Sequence, residues 1–253
     1  MSGHALSAAL PIAAATPSAP ASRSEAPTTG TLLVLVHGWL LSGRLWSPLQ
    51  EGLQRHRRVW APDLPGCGTT RRPPALHPTL AAYGHWLAQE AIRRAEGRPI
   101  VLVGHSLGGS IALHAAGELG QQLAAVVQLA AGGGIYQPRP FQLLRRFGRL
   151  IVLARPTPLG RWRGLDSLAG PLGTERRTAM GLLVSSTTAN AVRQLPRLVS
   201  ELTVPSLWIS GTRDRVMDPR SVRHLAGYSR HHCVHVLEGA GHLPFHRSGS
   251  ELV

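Results

Sequence analysis

The chain has 253 residues, 43% of them hydrophobic, which is long enough for one large domain with a buried core and excludes a wholly disordered protein. No apolar run approaches 18 residues, which argues against a membrane-spanning helix, and two cysteines, Cys67 and Cys233, are too few for a disulfide framework or a zinc spacing. The net charge is +14, from 27 arginines and no lysine, against 13 acidic residues. The absence of lysine reflects codon usage as readily as function, so the placement of the arginines matters more than their number. Residues 1–30 are rich in Ala, Pro, Ser and Thr and read as a disordered leader. They carry no early basic residue, and Pro11 and Pro17 interrupt the apolar stretch, which disfavours a signal peptide and implies a cytoplasmic protein.

Order begins at Thr31. The continuous apolar run Leu32-Leu33-Val34-Leu35-Val36 predicts a strand covered on both faces, ending in His37-Gly38-Trp39. Similar runs follow at 59–61, 100–103, 124–129 and 206–209, with an edge strand over 231–238. Leu80, Tyr83, Leu87 and Ala91 mark one face of a helix, and Leu107, Ile111, Ala115 and Leu119 mark another. This alternation predicts an α/β fold: a mostly parallel sheet of about six strands with helices on both faces. The alternation breaks between about 135 and 200, which reads as a helical cap inserted into a single domain of residues 31–253.

The chemistry centres on Val103-Gly104-His105-Ser106-Leu107-Gly108-Gly109. A buried strand, Gly-x-Ser-x-Gly and an apolar helix together form a turn so tight that small residues are needed at 104 and 108, and Ser106 stands at its tip. The helix behind it offers unpaired N–H groups to developing negative charge. A serine nucleophile needs a base, and the base needs an orienting carboxylate. Among 13 histidines, His242 stands out in the small-residue loop Gly239-Ala240-Gly241-His242-Leu243-Pro244. Among four aspartates, Asp214 follows the strand at 206–210, and Asp218 is the alternative. The two backbone donors of an oxyanion hole are assigned to Leu107 and Trp39, the indole of Trp39 also walling an acyl pocket.

Five blocks in order resemble the α/β-hydrolase superfamily over residues 31–247: Leu-Val-His-Gly-Trp at 35–39, Asp-Leu-Pro-Gly-Cys-Gly at 63–68, Gly-His-Ser-Leu-Gly-Gly at 104–109, Gly-Thr-Arg-Asp at 211–214 and Gly-Ala-Gly-His-Leu-Pro at 239–244. The chain looks most like small capped carboxylesterases, a group that includes the pimeloyl-carrier-protein methyl esterases. The resemblance implies an ester hydrolase that acylates Ser106 and hydrolyses the acyl-enzyme with water activated at His242, with no metal or organic cofactor. Three departures stand out. Cys67 replaces the usual aromatic residue, no strand precedes His37 in residues 1–30, and the chain ends 11 residues after His242, in keeping with a minimal sheet. Thioesterases, lipases, carbon–carbon bond hydrolases and aminopeptidases share the same serine, and a non-hydrolytic binding protein could retain the triad.

The charge is local. Between 136 and 200, eleven arginines face two acidic residues, a net +9 of the chain's +14. Arg145, Arg146 and Arg149 form a candidate anion-binding patch for an acidic acyl carrier protein or an anionic lipid surface. Interleaved Leu143, Leu144, Phe147 and Leu150 suit a lipid-facing lid as well. No nucleic-acid-binding motif accompanies the charge, so a nucleic-acid partner is not expected.

Overall fold

The computed structural model describes residues 30–55, 57–132, 138–154 and 173–243. The proposed leader over 1–30 lies almost entirely outside these residues, as do 133–137 at the start of the expected insertion, 155–172 within it, and everything after Leu243. Six parallel strands form one sheet in the order β2-β1-β3-β4-β5-β6. They are β1 (Leu32–Val36), β2 (Arg58–Trp60), β3 (Ile100–His105), β4 (Leu123–Leu129), β5 (Ser206–Gly211) and β6 (His232–Leu237). β6 is an edge strand, as expected, and its residues His232, Cys233 and His235 are exposed.

The strand order dictates where the helices go. From β1 the chain steps outward to β2, then returns past β1 to β3 and continues in the opposite direction. Right-handed crossovers therefore put the β1–β2 connection on one face and the later connections on the other. On the first face, a 3-10 turn (Gly43–Trp46) and α1 (Ser47–Leu53) pack Trp46 and Leu49 against Leu35, Leu129 and Ile209. On the second face lie α2 (Leu80–Ala95), α3 (Leu107–Leu119), α6 (Ala189–Ser200) and α7 (Pro219–Ala226). Their apolar stripes join Val34, Val36, Leu102, Val126 and Trp208 in the larger core. α2 starts where Thr79 accepts a bond from the Ala82 N–H, a side-chain cap that satisfies one free donor of the first turn. At Gly84 it approaches α3 so closely that a Cβ would lie 2.4 Å from the His114 Cβ.

The stretch between β4 and β5 forms α4 (Pro138–Ala154), α5 (Arg176–Ser186) and α6. Of these, α6 buries Ala191, Leu195 and Val199 in the main core, whereas α4 packs on α5. Arg72 reaches across to Glu175 through two bonds of 2.9 and 3.1 Å, tying the start of α5 to the body. Cys67 is buried in the main core beside this segment, a packing residue.

Two histidines sit buried at the carboxyl ends of β1 and β3. His37 donates from Nδ1 to the Gly38 carbonyl and accepts from the Leu64 N–H at Nε2, so its tautomer is set by its partners. Desolvation holds both His37 and His105 at about 4, below their ordinary 6.5.

Replacing Gly84 with Val should wedge α2 from α3 and lower stability by about 1–3 kcal/mol in urea unfolding. The buried imidazoles set a pH dependence. Between pH 6.5 and 4 the unfolded chain binds protons that the folded chain refuses, so stability falls as pH falls through that window. Each histidine contributes a slope of up to about 1.4 kcal/mol per pH unit. Denaturation curves across the window should show that slope reduced in His105→Gln.

Candidate active site

Trp39, Ser106, Leu107, Asp214 and His242 all follow the carboxyl ends of strands, those of β1, β3, β5 and β6. In an open parallel sheet this rim, at the point where the chain reverses its direction of winding, is where ligands bind. That point is here the junction of β1 and β3.

The turn between β3 and α3 is closed by direct backbone packing. A Cβ on Gly104 would lie 2.5 Å from the Gly109 Cα, and one on Gly108 would lie 2.4 Å from the carbonyl oxygens of both Val36 and His37. The first turn of α3 is thereby pressed onto the end of β1. Ser106 takes the strain, with φ 53° and ψ −122°, a conformation rare for a residue with a side chain.

Ser106 Oγ lies 3.0 Å from His242 Nε2, and His242 Nδ1 lies 2.9 Å from Asp214 Oδ2. With a neutral imidazole, the serine hydroxyl donates to Nε2 and the Nδ1–H donates to the carboxylate. The structure thus brings together three residues separated by up to 136 positions in the chain. Asp214 is buried, and its other oxygen accepts from the N–H groups of Val216 and Met217 at 2.8 and 2.9 Å. Those bonds fix the carboxylate's direction. Asp218, the alternative, faces elsewhere: it caps α7 by accepting from the Arg220 N–H at 2.8 Å.

The loops carrying Asp214 and His242 are stitched to each other. The Arg213 N–H donates to the Ala240 carbonyl at 2.9 Å, and the Gly239 N–H donates to Thr212 Oγ1 at 2.9 Å. Leu107 is the first residue of α3, where backbone donors have no intrahelical acceptor. Trp39 stands beside it across Gly38, whose Cβ position would be 3.2 Å from the Ser106 Cβ. The Trp39 indole donates to the Ala179 carbonyl of α5 at 2.8 Å, and its ring edge meets Gly148 of α4. The expected pocket wall is therefore also the contact on which the inserted helices rest.

The three arginines singled out on α4 divide. Arg145 turns inward and donates to Thr187 Oγ1 at 2.9 Å and to the Thr187 carbonyl at 3.1 Å, clamping α4 to the end of α5. Arg146 and Arg149 are exposed. Beside them the same helix exposes Leu143, Phe147, Leu150 and Ile151, Phe147 to 60% and Leu150 to 61%. No acidic residue occurs in Pro138–Ala154. Arg155, Arg161 and Arg163 lie outside the described residues.

Two residues of the site carried no role in the sequence reading. Asp63 accepts from the N–H groups of Gly43 and Thr69 at 2.7 and 2.8 Å, bracing the loops that follow β1 and β2. Burial alone would push its carboxyl up, but those bonds hold it below its usual range. His105 donates from Nε2 to the His242 carbonyl at 2.9 Å. Its place directly before Ser106 is the one signal that could have separated it from the other histidines. A cleft of about 580 Å³ beside β2, walled by Trp60, Trp86, Arg94 and Asp63, does not include Ser106, Asp214 or His242 in its lining. Among the described residues no helix is long and apolar enough to cross a membrane.

The family profile described as "Alpha/beta hydrolase family" matches residues 33–253. The chain is 32% identical over 236 residues to a pimeloyl-[acyl-carrier protein] methyl ester esterase of Xanthomonas oryzae pv. oryzae, an alignment spanning 85% of this chain and 89% of that protein. It is 30% identical over 239 residues to the protein of the same name from Xylella fastidiosa, with the same coverage. The crystal structure of a putative lipase from Acinetobacter baumannii AYE shares the fold with a TM-score of 0.71 at 21% identity, over 90% of this chain and 82% of that one. By sequence and by architecture, the chain belongs to the alpha/beta hydrolase family.

Proposed function

We propose that this protein is a carboxylic ester hydrolase in which Ser106, His242 and Asp214 act as nucleophile, general base and orienting carboxylate. The observation that carries the reading is the continuous relay of 2.9 and 3.0 Å from a buried carboxylate to a serine held on a strained turn. Ser106 Oγ attacks the ester carbonyl while His242 Nε2 takes its proton. The N–H groups of Leu107 and Trp39 receive the negative charge on the tetrahedral oxygen. The carbonyl re-forms, the alcohol leaves with the proton from His242, and the acyl group remains on Ser106. Water then gives a proton to His242 as it attacks the acyl-enzyme; the acyl–Oγ bond breaks, His242 returns the proton to Ser106 Oγ, and the acid is released.

For the substrate, we propose a short alkyl ester of an acyl chain borne by an acidic carrier protein. Two observations support this reading. Relatives at 30–32% identity over most of the chain are named as esterases of a carrier-linked methyl ester. Exposed Arg146 and Arg149 adjoin the apolar stripe of α4 on a helix without acidic residues, a surface complementary to a partner that is acidic and partly apolar. In this proposal α4 and α5 form the cap over Ser106, resting on it through Trp39. The same apolar stripe favours one other reading, a lipase whose cap faces an anionic lipid surface.

Ser106→Ala should lower kcat on p-nitrophenyl esters by at least about 10³-fold and abolish labelling by a fluorophosphonate, and Asp214→Asn should cost about 10³–10⁴-fold in kcat. An unlabelled Ser106 in folded wild-type protein would sink the serine hydrolase reading. Reversing Arg146 and Arg149 to Glu together should raise KM for a carrier-linked ester about tenfold at low salt, and the p-nitrophenyl ester should be unaffected. Equal KM values, with wild-type protein co-sedimenting on anionic phospholipid vesicles, would instead favour the lipase.

A further inference from the structure

We propose that His105 is a positioning residue that locks the His242 loop and the Gly38 loop onto the turn carrying Ser106. The proposal rests on the serine hydrolase reading above. His105 ends β3, and its ring is 1% exposed between two loops that come from distant parts of the chain. On one side, Nε2–H donates to the main-chain carbonyl of His242 at 2.9 Å, and the two imidazoles stand 5.2 Å apart, tilted by 51°. On the other side, a Cβ at Gly38 would lie 3.0 Å from His105 Nδ1, so the ring packs against the backbone that leads to Trp39. One side chain therefore touches both the loop bearing the proposed base and the loop bearing a proposed oxyanion donor.

The His242 loop needs such a point of attachment. Its bonds to the Asp214 loop fall on Gly239 and Ala240. Among the described residues nothing comes within 4 Å of a Cβ position at Gly241, and Leu243 is 41% exposed. Gly241, the residue between the stitched pair and His242, thus has no described neighbour against its Cβ side. The two side-chain bonds of His242 can orient its ring only if its backbone is already in place. The bond from His105 supplies that constraint at residue 242 itself. Burial keeps His105 neutral, so its single N–H is committed to the carbonyl. A neutral neighbour also leaves His242 free to become an imidazolium during proton transfer without repulsion between like charges.

Displacement of a base by about 1 Å costs about 10²-fold in rate. His105→Phe keeps the ring's bulk and removes the donor. It should lower kcat about 10–100-fold on a p-nitrophenyl ester, slow fluorophosphonate labelling of Ser106 by the same factor, and leave KM within about twofold. His105→Gln, whose amide can reach the same carbonyl, should recover kcat to within about fivefold of wild type. Wild-type kcat in His105→Phe, or a His105→Gln no better than His105→Phe at equal thermal stability, would overturn the proposal. A measurement on the unaltered protein guards against variants that fail to fold: the ring ¹⁵N shifts of His105 should report the Nε2–H tautomer, and the Nδ1–H tautomer would overturn the assignment. Wild-type Ser106 that resists the probe defeats the hydrolase reading and this proposal together, whereas a labelled wild type with an undiminished His105→Phe defeats this proposal alone.

Discussion

The close approach of α3 to the end of β1 is the constraint on which the rest of the molecule depends. Gly108 meets the carbonyls of Val36 and His37 at a distance that leaves no room for a side chain. That contact forces the turn between β3 and α3 to be short, and the shortness forces Ser106 into its strained conformation. It also sets the loop 37–39 beside the serine, within reach of any group bound there. A looser turn would let the helix retreat, relax the serine and separate it from Trp39. Strain at one residue is thus maintained by packing spread over two strands and a helix.

Polar groups around this turn are deployed so that little is left to chance. Asp214 accepts from two backbone donors as well as from His242, and Asp63 accepts from two backbone donors on neighbouring loops. His37 and His105 are kept uncharged by burial; His37 uses both ring nitrogens on backbone partners and His105 uses Nε2. The loops at the rim are therefore fixed mainly by side chain to backbone bonds, as buried polar groups require. Rigid loops of this kind suit a reaction whose stabilisation comes from preorganised donors.

The arginines take different roles. Arg72, Arg94 and Arg145 work inside the fold, holding Glu175, stacking on Trp60 beside Glu90, and clamping α4 to α5. Arg146 and Arg149 face solvent beside an apolar stripe. Composition alone treats these arginines as equivalent. Their division follows from helical geometry: Arg145 shares the inward face of α4 with Gly148 and Val152, and the next residue along falls on the outside.

The parallel sheet and its strand positions were legible in the chain because each rests on local chemistry, and the same kind of signal marked Ser106, His242 and Asp214 as the proposed triad. Continuous apolar runs mark doubly covered strands, a glycine pair marks a turn too tight for side chains, and small-residue loops after strands mark the rim. Asp214 and Asp218 could be ranked by sequence, but only the fold turned one toward His242 and the other toward the N-terminus of α7. The roles of Asp63 and His105 were not legible, since each depends on a partner from a distant segment. The same holds for the membership of α6 in the core and for the inward turn of Arg145. Sequence determined which groups the protein could use and on which elements they ride. Tertiary structure decided which of them meet, because hydrogen bonds and close packing act over a few ångströms between residues that the chain holds more than a hundred positions apart.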